Sequence, residues 1–244
     1  MKQLIHLGFA FAAIAVIFLI LNFALPLCPE PIGSRADLFI TGAKLTLVLT
    51  FYAGVIGLLL GTLAGVAKLQ KNLLLRGVAT FYTWLFRGTP LLVQILFIYF
   101  ALPVVSPSFQ FDEQTAAIIA LALNVGAYNA EAIRGGLIAV PKGQTEAAVS
   151  LGLSPVQTLV WITLPQAFRI SIPPLVSNLV ALLKDSSLAS SIGLLELSLV
   201  GNRVSSETFS PVPVLLTVAG IYLVITSVLT AAALPLEKKV RGEK

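Results

Sequence analysis

The residues of this chain best suited to chemistry are three charges set among long apolar stretches: Arg87, Lys184 and Asp185. A charge at bilayer depth costs about 2.5–3.5 kcal/mol on insertion scales, so it normally faces a cavity, a partner or an opposite charge. Asn178 and Asp185 lie seven residues apart and therefore share a helix face, whereas Lys184 points about 100° away. Thr89 follows Arg87 closely, and Ser187 follows Asp185. A guanidinium offers two parallel donors that suit a carboxylate. A helix interrupted by Pro173-Pro174 and by Ser and Gly can unwind and expose backbone groups to a zwitterion. Two readings stay open. In one, Arg87, Thr89, Asn178, Asp185 and Ser187 bind a zwitterionic ligand near the membrane midplane. In the other, Arg87 or Lys184 pairs with Asp185 and only holds helices together.

Other chemistries find less support. His6 is the one histidine and Cys28 the one cysteine, so neither a metal site nor a disulfide framework is expected, and no catalytic residue is assigned. Ser186 and Ser187 flank Lys184 closely enough to suggest a Ser–Lys dyad, but adjacent helical residues point about 100° apart. An intramembrane enzyme would need a positioned nucleophile and base, and no such pair stands at plausible depth. The chain carries no GxxxxGK[ST] phosphate loop, so any ATP chemistry belongs to another chain.

The elements that must position these residues are membrane helices. Of 244 residues, 57% are apolar and 11% charged, against about 25% charged in an ordinary soluble domain. Apolar runs cover about Leu4–Leu27, Ile40–Ala67, Leu91–Val105, Thr115–Ile138, Pro173–Val200 and Val212–Leu236. Each approaches the length that crosses about 30 Å of hydrocarbon, giving an all-α membrane protein of about six spans. The first run is too long for a signal-peptide core and lacks a small-residue cleavage site, so a retained helix is expected. Residues Asn72–Phe86 read as a shorter amphipathic or re-entrant stretch with Trp84 at an interface. Ala53, Gly57, Gly61 and Gly65 line one face of the second span, as close helix packing in lipid requires. Asn124, Tyr128 and Glu131 form a polar face on the fourth, and Glu131 with Arg134 makes a structural i,i+3 pair.

Charge sets the expected orientation. With a cytoplasmic N-terminus, Lys2, Lys68, Lys71, Arg76, Arg134, Lys142, Arg169, Lys238, Lys239, Arg241 and Lys244 fall inside. Only Arg35, Lys44 and Arg203 fall outside. That distribution obeys the positive-inside rule and places both termini in the cytoplasm. The net charge of +5 thus reflects topology, and nucleic-acid binding is excluded as its cause.

Between the fourth and fifth spans lies the one long stretch with soluble-protein polarity, Pro141–Arg169. Glu146, Ala147 and Ala148 precede Gly152 by a short interval, and Ile162, Leu164 and Pro165 follow. Local rules predict a helix from about Thr145, a turn at Gly152, and a second helix closed by Pro165. Such a knuckle can plug into a partner, with Trp161 at the junction. This Glu-Ala-Ala, Gly, Ile-x-Leu-Pro pattern resembles the signature loop of permease subunits of binding-protein-dependent ABC importers. Arg87-Gly88-Thr89-Pro90-Leu91-Leu92-Val93-Gln94, Ala130–Gly136, Pro141–Gln144, Leu164–Ala167 and Lys184-Asp185-Ser186-Ser187-Leu188 are similar to segments of the polar amino-acid permeases, of histidine, glutamine and arginine type.

The resemblance covers about Thr41 to the C-terminus. It implies a type I importer permease core at 37–244, with the coupling loop at about 141–169 and an additional helix and Pro-rich external loop at 1–36. It further implies that Glu146, Ala147, Ala148, Gly152, Ile162, Leu164 and Pro165 form the loop that docks into an ATPase subunit. The expected partners are two such ATPases, a second permease copy or paralogue, an external solute-binding protein, a polar amino acid and the lipid bilayer of a bacterial inner membrane. No cofactor is expected in this chain, with ATP and Mg used by the partner ATPase. An ion-coupled secondary amino-acid transporter, using Asp185 or Glu131, is the rival reading.

Overall fold

The computed structural model describes residues 16–241, and the start of the first apolar run lies outside them. The described residues are helical, with no strand among them. In chain order the helices are α1 Val16–Leu27, α2 Ala36–Ala67, α3 Leu73–Gly88, α4 Leu91–Val105, α5 Glu113–Ala139, α6 Lys142–Ser150, α7 Pro155–Ile192, α8 Leu197–Thr208 and α9 Pro211–Arg241. Four of the described helices are long and apolar enough to cross a membrane: α2 with the turn before it, α5, α7 and α9 up to Leu234. The pair α3 and α4 adds a fifth span if it is counted as one broken crossing.

The break between α3 and α4 follows from proline. Thr89 is extended, at φ −119° and ψ 147°, the conformation that a residue before proline is driven to adopt. The two helices meet at 106°. Alone, α4 reaches only about 22 Å at 1.5 Å per residue, too short for the crossing expected of Leu91–Val105, so it needs α3 to complete it. Upstream, the Asn72 carboxamide caps α3 by accepting the N–H groups of Leu74 (2.9 Å) and Leu75 (3.3 Å).

Other prolines behave differently. Pro103 and Pro165 each lie inside a continuous helix, and each is preceded by a π-helical turn, at Phe97–Ala101 and at Thr158–Thr163. A proline ring crowds the carbonyl four residues back and cannot bond to it. A wider turn moves that carbonyl away and lets the helix continue. Pro165 therefore does not close a helix, as local rules predict, but lies in the first turn of Leu164–Asp185. The fifth span starts well before Pro173 and runs through both Pro173 and Pro174. At its far end the expected interruption occurs: Ser186–Ile192 tightens to a 3-10 helix, and Gly193 stops it at φ 88°. The span ends there rather than near Val200. The polar residues around Arg203 and Glu207, between the fifth and sixth apolar runs, form the separate helix α8.

The chain divides into two compact units. One gathers the described residues up to Tyr52 with Leu91–Leu121 and Val180–Pro235. Its core joins Phe39, Leu183, Leu197, Val204, Val214, Ile221 and Ile225. Gly42 lets α2 approach so closely that a Cβ there would sit 3.0 Å from the Leu197 Cα. Glu196 is fully buried and caps α8: it accepts the N–H groups of Ser198 and Leu199 and the Tyr222 hydroxyl, each at 2.9 Å. Arg35 pairs with Glu207 on α8.

The other unit holds Ala53–Pro90, Ala122–Leu179 and the end of α9. Here the small-residue face of α2 meets α5. An added Cβ would lie 2.4 Å from Val125 at Gly57, 2.5 Å from Asn129 at Gly61 and 2.8 Å from the Ala130 carbonyl at Gly65. Packing within the chain is thus what these glycines serve. Opposite faces carry exposed apolar groups such as Leu63, Val78 and Phe81. Lipid can cover them; water would oppose them.

Candidate functional site

Two clusters could carry function, both in the second unit. The first is the knuckle foreseen around Glu146. Helix α6 begins after Pro141 and leaves Glu146 and Ala147 exposed while burying Ala148. It ends in a tight reversal: the Leu151 N–H donates to the Ala147 carbonyl, that of Gly152 to Val149 and that of Leu153 to Ala148. Gly152 takes φ 83° there, a conformation any side chain would strain. Ser154 then starts α7 with a capping box, its hydroxyl accepting the Gln157 N–H at 3.3 Å while Gln157 Oε1 accepts the Ser154 N–H at 2.9 Å.

The knuckle is seated by apolar contacts. Ile133 and Leu137 of α5, with Val140 just beyond its end, bury against Ala167, and Leu159, Leu164 and Phe168 pack around them. Ile162 and Leu164 are half-buried, whereas Pro165 is exposed. The outer surface presents Leu151, 83% exposed, with Val149, Val156 and Trp161 also exposed. An apolar tip on a firmly seated base is suited to docking and to transmitting displacement.

The second cluster surrounds Glu131. Its carboxylate is engaged on both oxygens: Lys68 reaches Oε1, and Arg134 Nε donates to Oε2 at 2.8 Å, the i,i+3 pair expected from the spacing. Lys68 also donates to the Thr83 hydroxyl at 2.8 Å. Arg87 lies 4.0 Å from Oε1, with its guanidinium carbon 5.1 Å from the centre of the Tyr128 ring. The carboxylate placed beside Arg87 is therefore Glu131.

Nearby, Asn124 donates to the Phe86 carbonyl at 3.1 Å, and Asn178 Nδ2 donates to the buried Asn129 Oδ1 at 2.9 Å. The Thr89 hydroxyl donates to the Leu85 carbonyl at 2.8 Å. Of the proposed ligands, Arg87, Thr89 and Asn178 lie in this unit. Asp185 and Ser187 lie in the first unit, both half-buried. Lys68, Tyr128 and Asn129 were not singled out as site residues from sequence. Tyr128 alone had a signal, its place on the polar face with Asn124 and Glu131.

In the first unit Lys184 borders a groove of about 400 Å³ with Thr226, Ser227 and Thr230. The threonine protons are committed to backbone carbonyls of their own helix, Thr226 to Tyr222 and Thr230 to Thr226. Lys184 and Asp185 do not form one of the salt bridges found among the described residues. No group of His, Cys, Asp and Glu suited to a metal ion occurs among the described residues.

Known proteins resemble this chain in sequence and fold. The family described as "Binding-protein-dependent transport system inner membrane component" matches residues 57–242. The glutamine transport system permease protein GlnP of Escherichia coli K12 is 38% identical over 204 residues, covering 84% of this chain and 93% of that protein. The arginine transport system permease protein ArtQ of Bacillus subtilis is 36% identical over 201 residues, covering 82% and 91%. The L-cystine transport system permease protein TcyB of the same organism is 37% identical over 199 residues, covering 81% and 84%. A crystal structure of an amino acid ABC transporter with histidines superposes with a TM-score of 0.77 at 35% identity, covering 84% of this chain and 95% of that one. The MetNI methionine ABC transporter in inward-facing form shares the fold, with a TM-score of 0.75 at 21% identity over 87% of this chain and 99% of that one.

Proposed function

From the premise that this chain belongs to the binding-protein-dependent transport system inner membrane components, we propose that it is the translocation subunit of an ATP-driven importer of a polar amino acid. It works beside a second permease, a further copy or a paralogue, above two ATPase subunits. An external binding protein delivers the amino acid. ATP and Mg are consumed in the ATPases, and this chain binds no cofactor of its own. Both termini face the cytoplasm, in keeping with the distribution of Lys and Arg.

The observation that carries this reading is the knuckle: a short helix reversed at a left-handed Gly152, an apolar exposed tip, and a base packed onto α5. Glu146, Ala147, Ala148, Gly152, Ile162, Leu164 and Pro165 form it and its seat. Closure of the ATPase pair on ATP would displace the tip, and the buried contacts of Leu137, Val140 and Ala167 would pass that displacement to α5 and α7. Substrate passes along a path to which Arg87, Thr89, Asn178, Asp185 and Ser187 contribute, Arg87 through the α-carboxylate. Ion-coupled transport is less favoured, because Glu131, a carboxylate it could use, is already held by Lys68 and Arg134.

The test is co-purification of tagged permease with its ATPase from detergent-solubilised membranes, followed by amino-acid-stimulated ATP hydrolysis. Glu146→Lys and Gly152→Asp are expected to lose the ATPase while inserting normally. A chain that purifies alone and still moves amino acids under an ion gradient would overturn the proposal.

A further inference from the structure

We propose that Tyr128 is the positioning residue that presents the Arg87 guanidinium to a substrate carboxylate; this rests on the reading of Arg87 as a ligand. Arg87 is anchored without spending its donors. The Glu131 oxygens are occupied by Lys68 and Arg134, and at 4.0 Å Arg87 is beyond hydrogen-bond distance from the nearer one. No hydrogen bond is made by its guanidinium among the described residues. What holds it in place is the face of Tyr128, 5.1 Å from ring centre to guanidinium carbon, inside the range of about 6 Å for a cation–π contact. Such a contact is made through the ring face and leaves the N–H fork free.

Sequence spacing makes the arrangement possible. Tyr128 and Glu131 are i and i+3 on α5 and so lie on one face, the ring fixing the guanidinium and the carboxylate biasing its charge. With Lys68 on one Glu131 oxygen and Arg134 on the other, Arg87 stands 4.0 Å off rather than in a close bidentate pair that would close the fork. Tyr128 is 42% exposed, and its hydroxyl makes no hydrogen bond among the described residues, so the ring face is the part in use. The ligand that completes the fork is a planar carboxylate, as in the α-carboxylate of an amino acid.

The experiment uses the whole complex, permease with its ATPases, in lipid nanodiscs without the binding protein. Equilibrium binding of each of the twenty labelled amino acids identifies the one that the wild-type complex binds best, and its Kd is then compared across variants of equal melting temperature. Tyr128→Leu is expected to raise the Kd about 3- to 10-fold. Tyr128→Phe, which keeps the ring, is expected to recover the affinity. Arg87→Ala is expected to lose binding more severely than either. If Arg87→Ala loses binding while Tyr128→Leu does not, the positioning role is wrong and the Arg87 reading survives. If Tyr128→Phe is as weak as Tyr128→Leu, the hydroxyl and not the ring is responsible, and the inference fails. If Arg87→Ala binds as the wild type does, or the wild type binds none of the twenty, the Arg87 reading itself falls and takes this one with it.

Discussion

Gly135 and Gly136 are neighbours on α5 with opposite surroundings, and only at Gly136 should exchange for alanine lower stability. A Cβ at Gly135 would meet nothing within 4 Å, whereas one at Gly136 would sit 2.1 Å from Ser171 Oγ and 2.5 Å from the Ala167 carbonyl oxygen. The Ser171 side chain can rotate, but the carbonyl belongs to the backbone of α7 and can move only with that helix. In rotating, Ser171 would also give up its hydrogen bonds to the Ala132 and Ala167 carbonyls, at 3.0 and 2.8 Å. Alanine improves helix propensity by about 0.8–1 kcal/mol at either site. Against that, overpacking costs about 1–3 kcal/mol and a lost hydrogen bond about 0.5–1.5 kcal/mol. The net loss for Gly136→Ala is therefore about 1–3 kcal/mol, which lowers the melting temperature by roughly 3–10 °C in a chain of this size. Gly135→Ala should leave it unchanged or raise it slightly. The assay is intrinsic fluorescence of Trp84 and Trp161 during a thermal ramp in nanodiscs. Equal shifts for the two variants, or a stabilised Gly136→Ala, would refute the close approach of α5 and α7 at this point.

Two further perturbations test the charged groups. Glu131→Ala would leave Lys68 and Arg134 without their carboxylate in a mostly enclosed site, at a cost of about 3 kcal/mol; a melting temperature within a degree of wild type would show that the cluster holds nothing together. Burial keeps the Glu196 carboxyl above its ordinary range, although the Ser198 and Leu199 N–H groups pull the other way. The folded state therefore favours the protonated form. Its contribution to stability is fully present below the ordinary value of 4.5 and lost as pH rises through the folded value. The wild-type melting temperature should fall across that window relative to Glu196→Gln, and parallel curves would count against it.

Features set by local periodicity were legible in the sequence, and features set by distant partners were not. The glycine face of α2, the Glu131–Arg134 pair and the reversal at Gly152 depend on spacings of a few residues, and each stands where the pattern put it. Lys68 was counted as a topology charge at the end of a span. Its role beside Glu131 depends on a contact across 63 residues, and that of Asn129 beside Asn178 on one across 49. Proline misled the reading of α7, because the rule that proline ends a helix does not foresee a widened turn ahead of it. The polar stretch with Arg203 and Glu207, between the fifth and sixth apolar runs, reads as a loop by composition. It became α8 because the buried Glu196 supplies an N-cap that the usual short polar residues would have advertised. Among the proposed ligands, residue type was readable, but which groups support them was not.

The widened turn at Thr158–Thr163 has a consequence for angular phase. An i→i+5 ring takes in one more residue than an α turn, and one residue corresponds to about 100° of rotation about the helix axis. Faces on the two sides of the turn are therefore out of step, so a helical wheel drawn from Asn178 back to Ser154 mis-aims its earlier residues. Removing one residue from this turn would restore a single phase and swing the capping box, with the knuckle before it, to another side of the helix. Chain length between Gly152 and Ile162 thus determines where the exposed tip points, as well as how far it reaches.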